Sequence, residues 1–180
     1  MLQLVLPQEQ YWASFQKGLS EVKDNPSPYD IGAITKAFSF SNFSEYQQYC
    51  EKTRMGIGLK PGYVPSTYLW LIQDDEFVGI FDIRHSLTET LKAKGGHIAY
   101  LIIPSKRRLG FAVQGLKLCC LYANYNLSLK EVLVCCNENN IASYKTMTKV
   151  MQEYGGFEDV PTSMGDHLEK RVWINTVINL

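Results

Sequence analysis

HIAYLIIPSKRRLGFAVQ, residues 97–114, decides the fold because one kind of local order gives way to another inside it. The run from His97 to Ile103 is apolar and β-branched, as a buried strand is, and it stops at Pro104, which has no amide hydrogen for a ladder. A basic loop follows, and from Leu109 to Asn124 the residues Ala112, Val113, Leu116, Cys119, Cys120 and Ala123 recur at helical spacing. A strand therefore hands directly to a helix through a cationic, glycine-containing turn. Amide hydrogens at a helix start have no partner within the helix, and together with the dipole they attract phosphate; Gly110 lets the backbone approach closely, and Arg107 and Arg108 add charge. The loop is not GxxxxGK[ST], and no GxGxxG follows a strand, so simple nucleoside triphosphate and dinucleotide sites are disfavoured.

The flanks extend the pattern. Upstream, TYLWLIQ (67–73) and EFVGIFDIR (76–84) are apolar runs joined by Asp74-Asp75, which predicts a hairpin, and a polar loop from Ser86 to Lys94 leads into the next strand. Downstream, EVLVCC (131–136) predicts a strand. Asn140 to Tyr154 predicts a helix stopped by Gly155-Gly156, and Phe157–Val160 and His167–Val177 predict a terminal strand pair. Toward the amino end, Leu2–Leu6 reads as a strand, Glu9–Val22 as an amphipathic helix, and Ser44–Thr53 as a second helix with Ser44 as its cap. The order is strand, helices, three strands, helix, strand, helix, two strands. It predicts an α/β chain of the α+β kind: one domain over residues 1–180, with a mixed, mostly antiparallel sheet of six to seven strands flanked by helices and at least one strand–helix–strand crossover.

Composition bounds the partners. The 180 residues carry 18 Lys+Arg and 18 Asp+Glu, a formal net charge of zero, so there is no broad cationic field for nucleic acid or anionic membrane. No apolar run approaches the ~20 residues that span a bilayer, and the expected location is cytoplasmic. The five cysteines, Cys50 and the adjacent pairs Cys119-Cys120 and Cys135-Cys136, show neither CxxC nor Cys/His spacing; they are read as small core residues, with no metal site.

Arg107-x-x-Gly110-x-Ala112 resembles the R/Q-x-x-G-x-G/A signature of the GNAT superfamily of N-acetyltransferases, whose loop holds the pyrophosphate of acetyl-coenzyme A. The resemblance covers Thr67 to Phe157, with the first helices matching in outline. It implies a GNAT-like acyl-CoA acyltransferase fold and acetyl-coenzyme A as cosubstrate. Ile102 and Ile103 would present backbone groups to the pantetheine arm, and the amides of Arg107, Arg108, Leu109, Gly110, Phe111 and Ala112 would take the pyrophosphate. Asn140, read from the residues alone as a helix cap, would also touch the cofactor, with Ser143 at the small-residue position three later. Where many members carry a tyrosine that protonates the departing thiolate, this chain has Met147; Tyr144 and Tyr154 lie on roughly the same helix face.

The resemblance further implies direct transfer of the acetyl group to a primary amine in a ternary complex. Its acceleration would come largely from positioning, with a base to remove the amine proton. His97 is the first candidate base, with an intrinsic pKa suited to the task; His85 and Glu89 follow, and Tyr144 is the candidate acid. Tyr29, Phe38, Phe40, Phe43 and Tyr63 are candidates to line the acceptor pocket or to fill the core. The acceptor is a small-molecule or peptide amine, with no nucleic acid or membrane partner, and an exposed last strand leaves a homodimer open. A non-catalytic acyl-CoA-binding or sensing domain is the alternative, on the strength of Met147, and a phosphate-binding module unrelated to coenzyme A is a third.

Overall fold

In the computed structural model, which describes residues 1–30 and 36–177, seven strands are distributed over two sheets. The first sheet has the order β1-β2-β3-β4, formed by Leu2–Val5, Ser66–Gln73, Glu76–Arg84 and Ile98–Ile102; the second has the order β5-β7-β6, formed by Glu131–Asn137, Leu168–Asn175 and Gly156–Ser163. Every ladder within the sheets is antiparallel. Among the described residues, five α-helices pack around them: α1 (Trp12–Asp24), α2 (Phe43–Met55), the short α3 (Glu89–Ala93), α4 (Phe111–Leu127) and α5 (Ile141–Tyr154).

The β2–β3 hairpin forms as its sequence predicts. Asp74 and Asp75 both take left-handed backbone angles, φ 49° and 65°, which match a two-residue turn to the right-handed strand twist. Both strands are buried on both faces, which is why they read as nearly continuous apolar runs. On one face Trp70, Ile80 and Phe77 pack against Phe15 of α1 and Tyr46 of α2, with the Phe15 and Trp70 rings stacked at 4.3 Å. On the other, Leu69, Leu71, Phe81 and Ile83 meet Leu116, Cys119, Cys120 and Ala123 of α4. These two cysteines are core residues as expected, and all five are free thiols.

Three local differences from the sequence have simple causes. The cap of α2 is Asn42, whose side chain accepts from the Glu45 amide at 2.9 Å, and not Ser44. The loop from Ser86 to Lys94 contains the single-turn α3, capped by Thr88. The last strand, expected to be an exposed edge, sits in the middle of its sheet; β6 takes the edge.

The feature that positions the site is the junction of the sheets. The sequence predicts one continuous sheet, yet β4 and β5 share only a bridge between Gly96 and Val134. Beside it the His97 amide donates to the Leu133 carbonyl at 2.7 Å, and the Leu133 amide donates back to His97 Nδ1 at 2.9 Å. Gly96 has φ +64°, and a Cβ there would stand 2.4 Å from the Leu133 carbonyl oxygen, so only glycine permits the approach. Past this point, among the described residues, β4 and β5 are joined by no ladder. Among the described residues, no helix is long and apolar enough to cross a membrane.

Candidate active site

The wedge between β4 and β5 opens into a cleft of about 1230 Å³. One wall is β4 from Ile98 to Ile102. The other comprises the end of β5, Cys135 to Asn137, and the start of α5, and the basic loop and the first turn of α4 close one end.

That end has the properties of an anion cradle. Arg108 and Gly110 both adopt left-handed angles, φ 63° and 83°, turning the loop so that α4 begins at Phe111 with no side-chain cap on its amides. Around Gly110 a Cβ would meet nothing within 4 Å: the backbone here faces open space. Gly110, Phe111, Ala112, Val113 and Arg108 all line the cleft, while Leu109, 64% exposed, is not among the lining residues. Arg107 is spent on the loop itself: its Nε donates to the Ile102 carbonyl at 2.9 Å and its Nη2 lies 3.8 Å from Asp30. Lys106 pairs with Glu76 at 2.6 Å, so among the described residues Arg108 is the cation of this loop with the fewest internal ties.

Ile102 lines the cleft, with its carbonyl taken by Arg107. Ile103 departs from expectation. Its amide donates to Val78 at 3.0 Å, its carbonyl accepts from Lys106, and its side chain is buried on the α1–α2 side, so it offers the cleft nothing. Asn140 caps α5, its Oδ1 accepting from the Ser143 amide at 3.2 Å, and both residues line the cleft. Facing them is Tyr100, which sequence reasoning missed: its hydroxyl meets Ser143 Oγ at 2.9 Å, its ring stacks on Phe81, and burial pushes its phenol up to about 12. Strand alternation from Ile98 was a signal that could have placed it.

The two catalytic candidates lie elsewhere. His97 is 6% exposed and is not among the cleft-lining residues. Its Nδ1 is an occupied acceptor, its ring meets Trp173 edge to face, and burial, reinforced by Arg84, pulls its pKa down to about 4. A group so weakly basic is a poor proton acceptor at neutral pH; the structure makes it the rivet between the sheets. Tyr144 points to β6, donating to Glu158 at 2.5 Å under the Lys170 ammonium, and that bond to a carboxylate raises its pKa. Met147 is fully buried in the core. His85 is held by Thr67 Oγ1 at 2.8 Å, and Glu89 pairs with Lys92 on the surface. Of the aromatic acceptor candidates, Tyr29 lines the cleft, Phe40 and Phe43 pack on the α1–α2 core, Tyr63 is exposed, and the Phe38 side chain lies outside the described residues.

At the opposite end of the cleft stand Arg84, Lys94, Gly95, His167 and Glu169. Glu169 is 4% exposed, and His167 bridges it to Asp166, with Nε2 at 3.2 Å from Glu169 Oε1 and Nδ1 at 2.7 Å from Asp166 Oδ1. The two carboxylates raise the His167 pKa.

A family model described as an acetyltransferase (GNAT) domain matches residues 22–151. The chain belongs to the GNAT acetyltransferase family. No curated protein matches the sequence. Solved structures with the same fold include RimL, a ribosomal L7/L12 alpha-N-protein acetyltransferase in complex with coenzyme A, at 11% identity and TM-score 0.66 over 97% of this chain and 93% of that one. The microcin C7 self-immunity acetyltransferase MccE, in complex with acetyl-coenzyme A and AMP, aligns at 13% identity and TM-score 0.64 over 97% and 92%. A mutant of the spermidine N-acetyltransferase SpeG from Vibrio cholerae aligns at 12% and 0.60 over 97% and 94%. This GNAT chain thus shares its architecture with solved structures of low sequence identity.

Proposed function

We propose that the protein transfers the acetyl group of acetyl-coenzyme A to a primary amine, both substrates meeting in the cleft between β4 and β5. The observation that carries this reading is the uncapped start of α4 at Gly110, with free space above it, at one end of a cleft of about 1230 Å³. The residues fit the donor: Arg108 and the amides from Gly110 to Ala112 would hold its pyrophosphate, and Ile102, Asn140 and Ser143 would flank its arm. When bound, the donor supplies an activated acyl carbon, and the chain supplies orientation and exclusion of water. The contact of Tyr100 with Ser143 Oγ at the cleft wall supports a role for this hydroxyl pair beside the thiol, where the tyrosine position is Met147. Relatives of this fold named for spermidine and for a ribosomal protein support an amine acceptor.

The buried Met147 favours one rival, a domain that binds acyl-coenzyme A without turning it over. Thermal melts with acetyl-coenzyme A, coenzyme A, ATP and NAD separate donor from decoy: ligand at about one hundred times its Kd stabilises the fold by about 2.7 kcal/mol. Stabilisation by the coenzyme A species alone, followed by acetyl transfer to spermidine or to a peptide amino terminus, is the expected result. Binding without transfer to any amine in a broad panel selects the rival, and no shift with either coenzyme A species refutes both.

A further inference from the structure

The end of the cleft away from the α4 start carries a buried carboxylate, Glu169. An amine arrives at neutral pH as an ammonium ion and must lose a proton before its nitrogen can attack. Register shows where that proton can go. Glu169 on β7 pairs with Asn137 on β5, and Cys135 pairs with Arg171. Side chains alternate along a strand, so Glu169 shares its sheet face with Cys135 and Arg171, while Cys136, Val172 and Ile174 join the core under α4 and α5 on the other. The phosphate cradle belongs to the start of α4 and the buried carboxylate to the face turned away from that helix, and both line one cleft. The two ends therefore differ in charge and in side: cation and amides where the donor enters, a carboxylate where the acceptor must.

We propose that Glu169 is the general base, a catalytic residue whose carboxylate accepts the proton from the acceptor ammonium as it approaches the thioester, with His167 as the positioning residue. The N–H bond of the ammonium breaks, an O–H bond forms on Glu169, and the nitrogen lone pair is freed for attack; the carboxyl then returns its proton to solvent. His167 fixes Glu169 Oε1 through Nε2 and is itself fixed at Nδ1 by Asp166, whose side chain is 90% exposed. With the imidazole protonated, the three groups sum to one negative charge. Other ionisable groups surround this one: Cys135 and Cys136 from β5, Lys170 and Arg171 from β7, and Arg84 and Lys94 across the cleft. Both thiols are raised by burial, to about 12 and about 11, and stay neutral; Arg84 is held by Asp82 and by the Gly95 and Gly96 carbonyls.

This proposal rests on the acetyltransferase reading and deepens it, so its test carries a donor-binding control. Wild type, Glu169→Gln, Glu169→Asp and His167→Asn are compared for coenzyme A affinity by calorimetry and for acetyl transfer to spermidine and to an alanyl peptide across pH 6–9. Expected for Glu169→Gln is coenzyme A affinity within twofold of wild type, with kcat/KM lowered at least ~100-fold across that pH range. For His167→Asn the change in kcat/KM that accompanies loss of the imidazole proton, held high by the two carboxylates in the wild type, disappears while coenzyme A affinity holds. Glu169→Asp, which keeps the charge but withdraws it by one methylene, covers a Gln variant that fails to fold, with turnover down at least tenfold at unchanged coenzyme A affinity. Transfer by Glu169→Gln within threefold of wild type overturns the proposal, as does a wild type that binds coenzyme A but acetylates neither amine. A wild type that binds no coenzyme A fails one step earlier, at the proposed function itself.

Discussion

Acidification should loosen the joint between the two sheets, because the rivet at His97 works only when its ring is neutral. The Leu133 amide donates to Nδ1, and a proton on that nitrogen would set hydrogen against hydrogen in a site 6% exposed. The folded ring titrates at about 4 against 6.5 for an unperturbed histidine. A histidine with a depressed pKa binds protons more readily unfolded than folded, so its contribution is intact above pH 6.5 and is lost as pH falls toward 4. The shift of about 2.5 units, at about 1.36 kcal/mol per unit, amounts to about 3 kcal/mol in all, of which about 2 kcal/mol is gone by pH 5. Carboxylates held low, such as Asp166 and Asp159, also destabilise the fold in acid, whereas His167, held high, opposes them. The assay is therefore differential: urea unfolding at pH 7 and pH 5 for wild type and His97→Asn, with the imidazole titrated directly by NMR. The variant should be less stable at pH 7, and the gap should narrow by about 2 kcal/mol at pH 5. A His97 titration near 6.5, or a gap constant with pH, would refute the reasoning.

Other perturbations probe the donor end and the core. Gly110→Glu places a side chain on a left-handed residue and a negative charge beside the cradle, and should raise the coenzyme A Kd at least about tenfold, or about 1.4 kcal/mol, in a calorimetric titration. Gly115→Ala sets a Cβ 2.2 Å from Phe81 Cζ, so chemical denaturation should show a loss of about 1–3 kcal/mol from displacing that ring. Tyr144→Phe removes a hydroxyl that reaches Glu158 and not the cleft; acetyl transfer rates should stay within twofold, and a hundredfold loss would restore Tyr144 as the acid.

What could be seen in the chain was what lies close together along it. The strand, loop and helix from residue 97 to 114 form a continuous unit, so the residues alone point to an anion site around Arg108 and Gly110, to which the GNAT resemblance adds Phe111 and Ala112, and Asn140 with Ser143 is likewise a local cap. His97 misled because an imidazole's intrinsic pKa suggests a base, whereas burial and a backbone donor from Leu133, 36 residues away, remove that property. Ile103 misled because strand periodicity does not say which backbone groups a neighbouring strand has already claimed, here Val78. Glu169 could not have been found at all from its own surroundings. It reaches the cleft through pairing of β7 with β5, a register set by the whole second sheet. The split between β4 and β5 was equally hidden, since two apolar runs read alike whether or not they are bonded to each other.

The order β5-β7-β6 has a consequence for synthesis. The strand that joins its two neighbours is made after both of them, so when residues up to Ser163 have left the ribosome, β5 and β6 exist without the ladder that pairs each of them. The first sheet, with its hairpin and two-sided core, is by then entirely translated and can fold ahead of the rest, as amino-terminal units generally do. A chain ending before Leu168 would thus carry a finished half beside two open strand edges, each a template for another copy. Completion of the second sheet, and with it the delivery of Glu169, waits for Leu168–Asn175 to be translated.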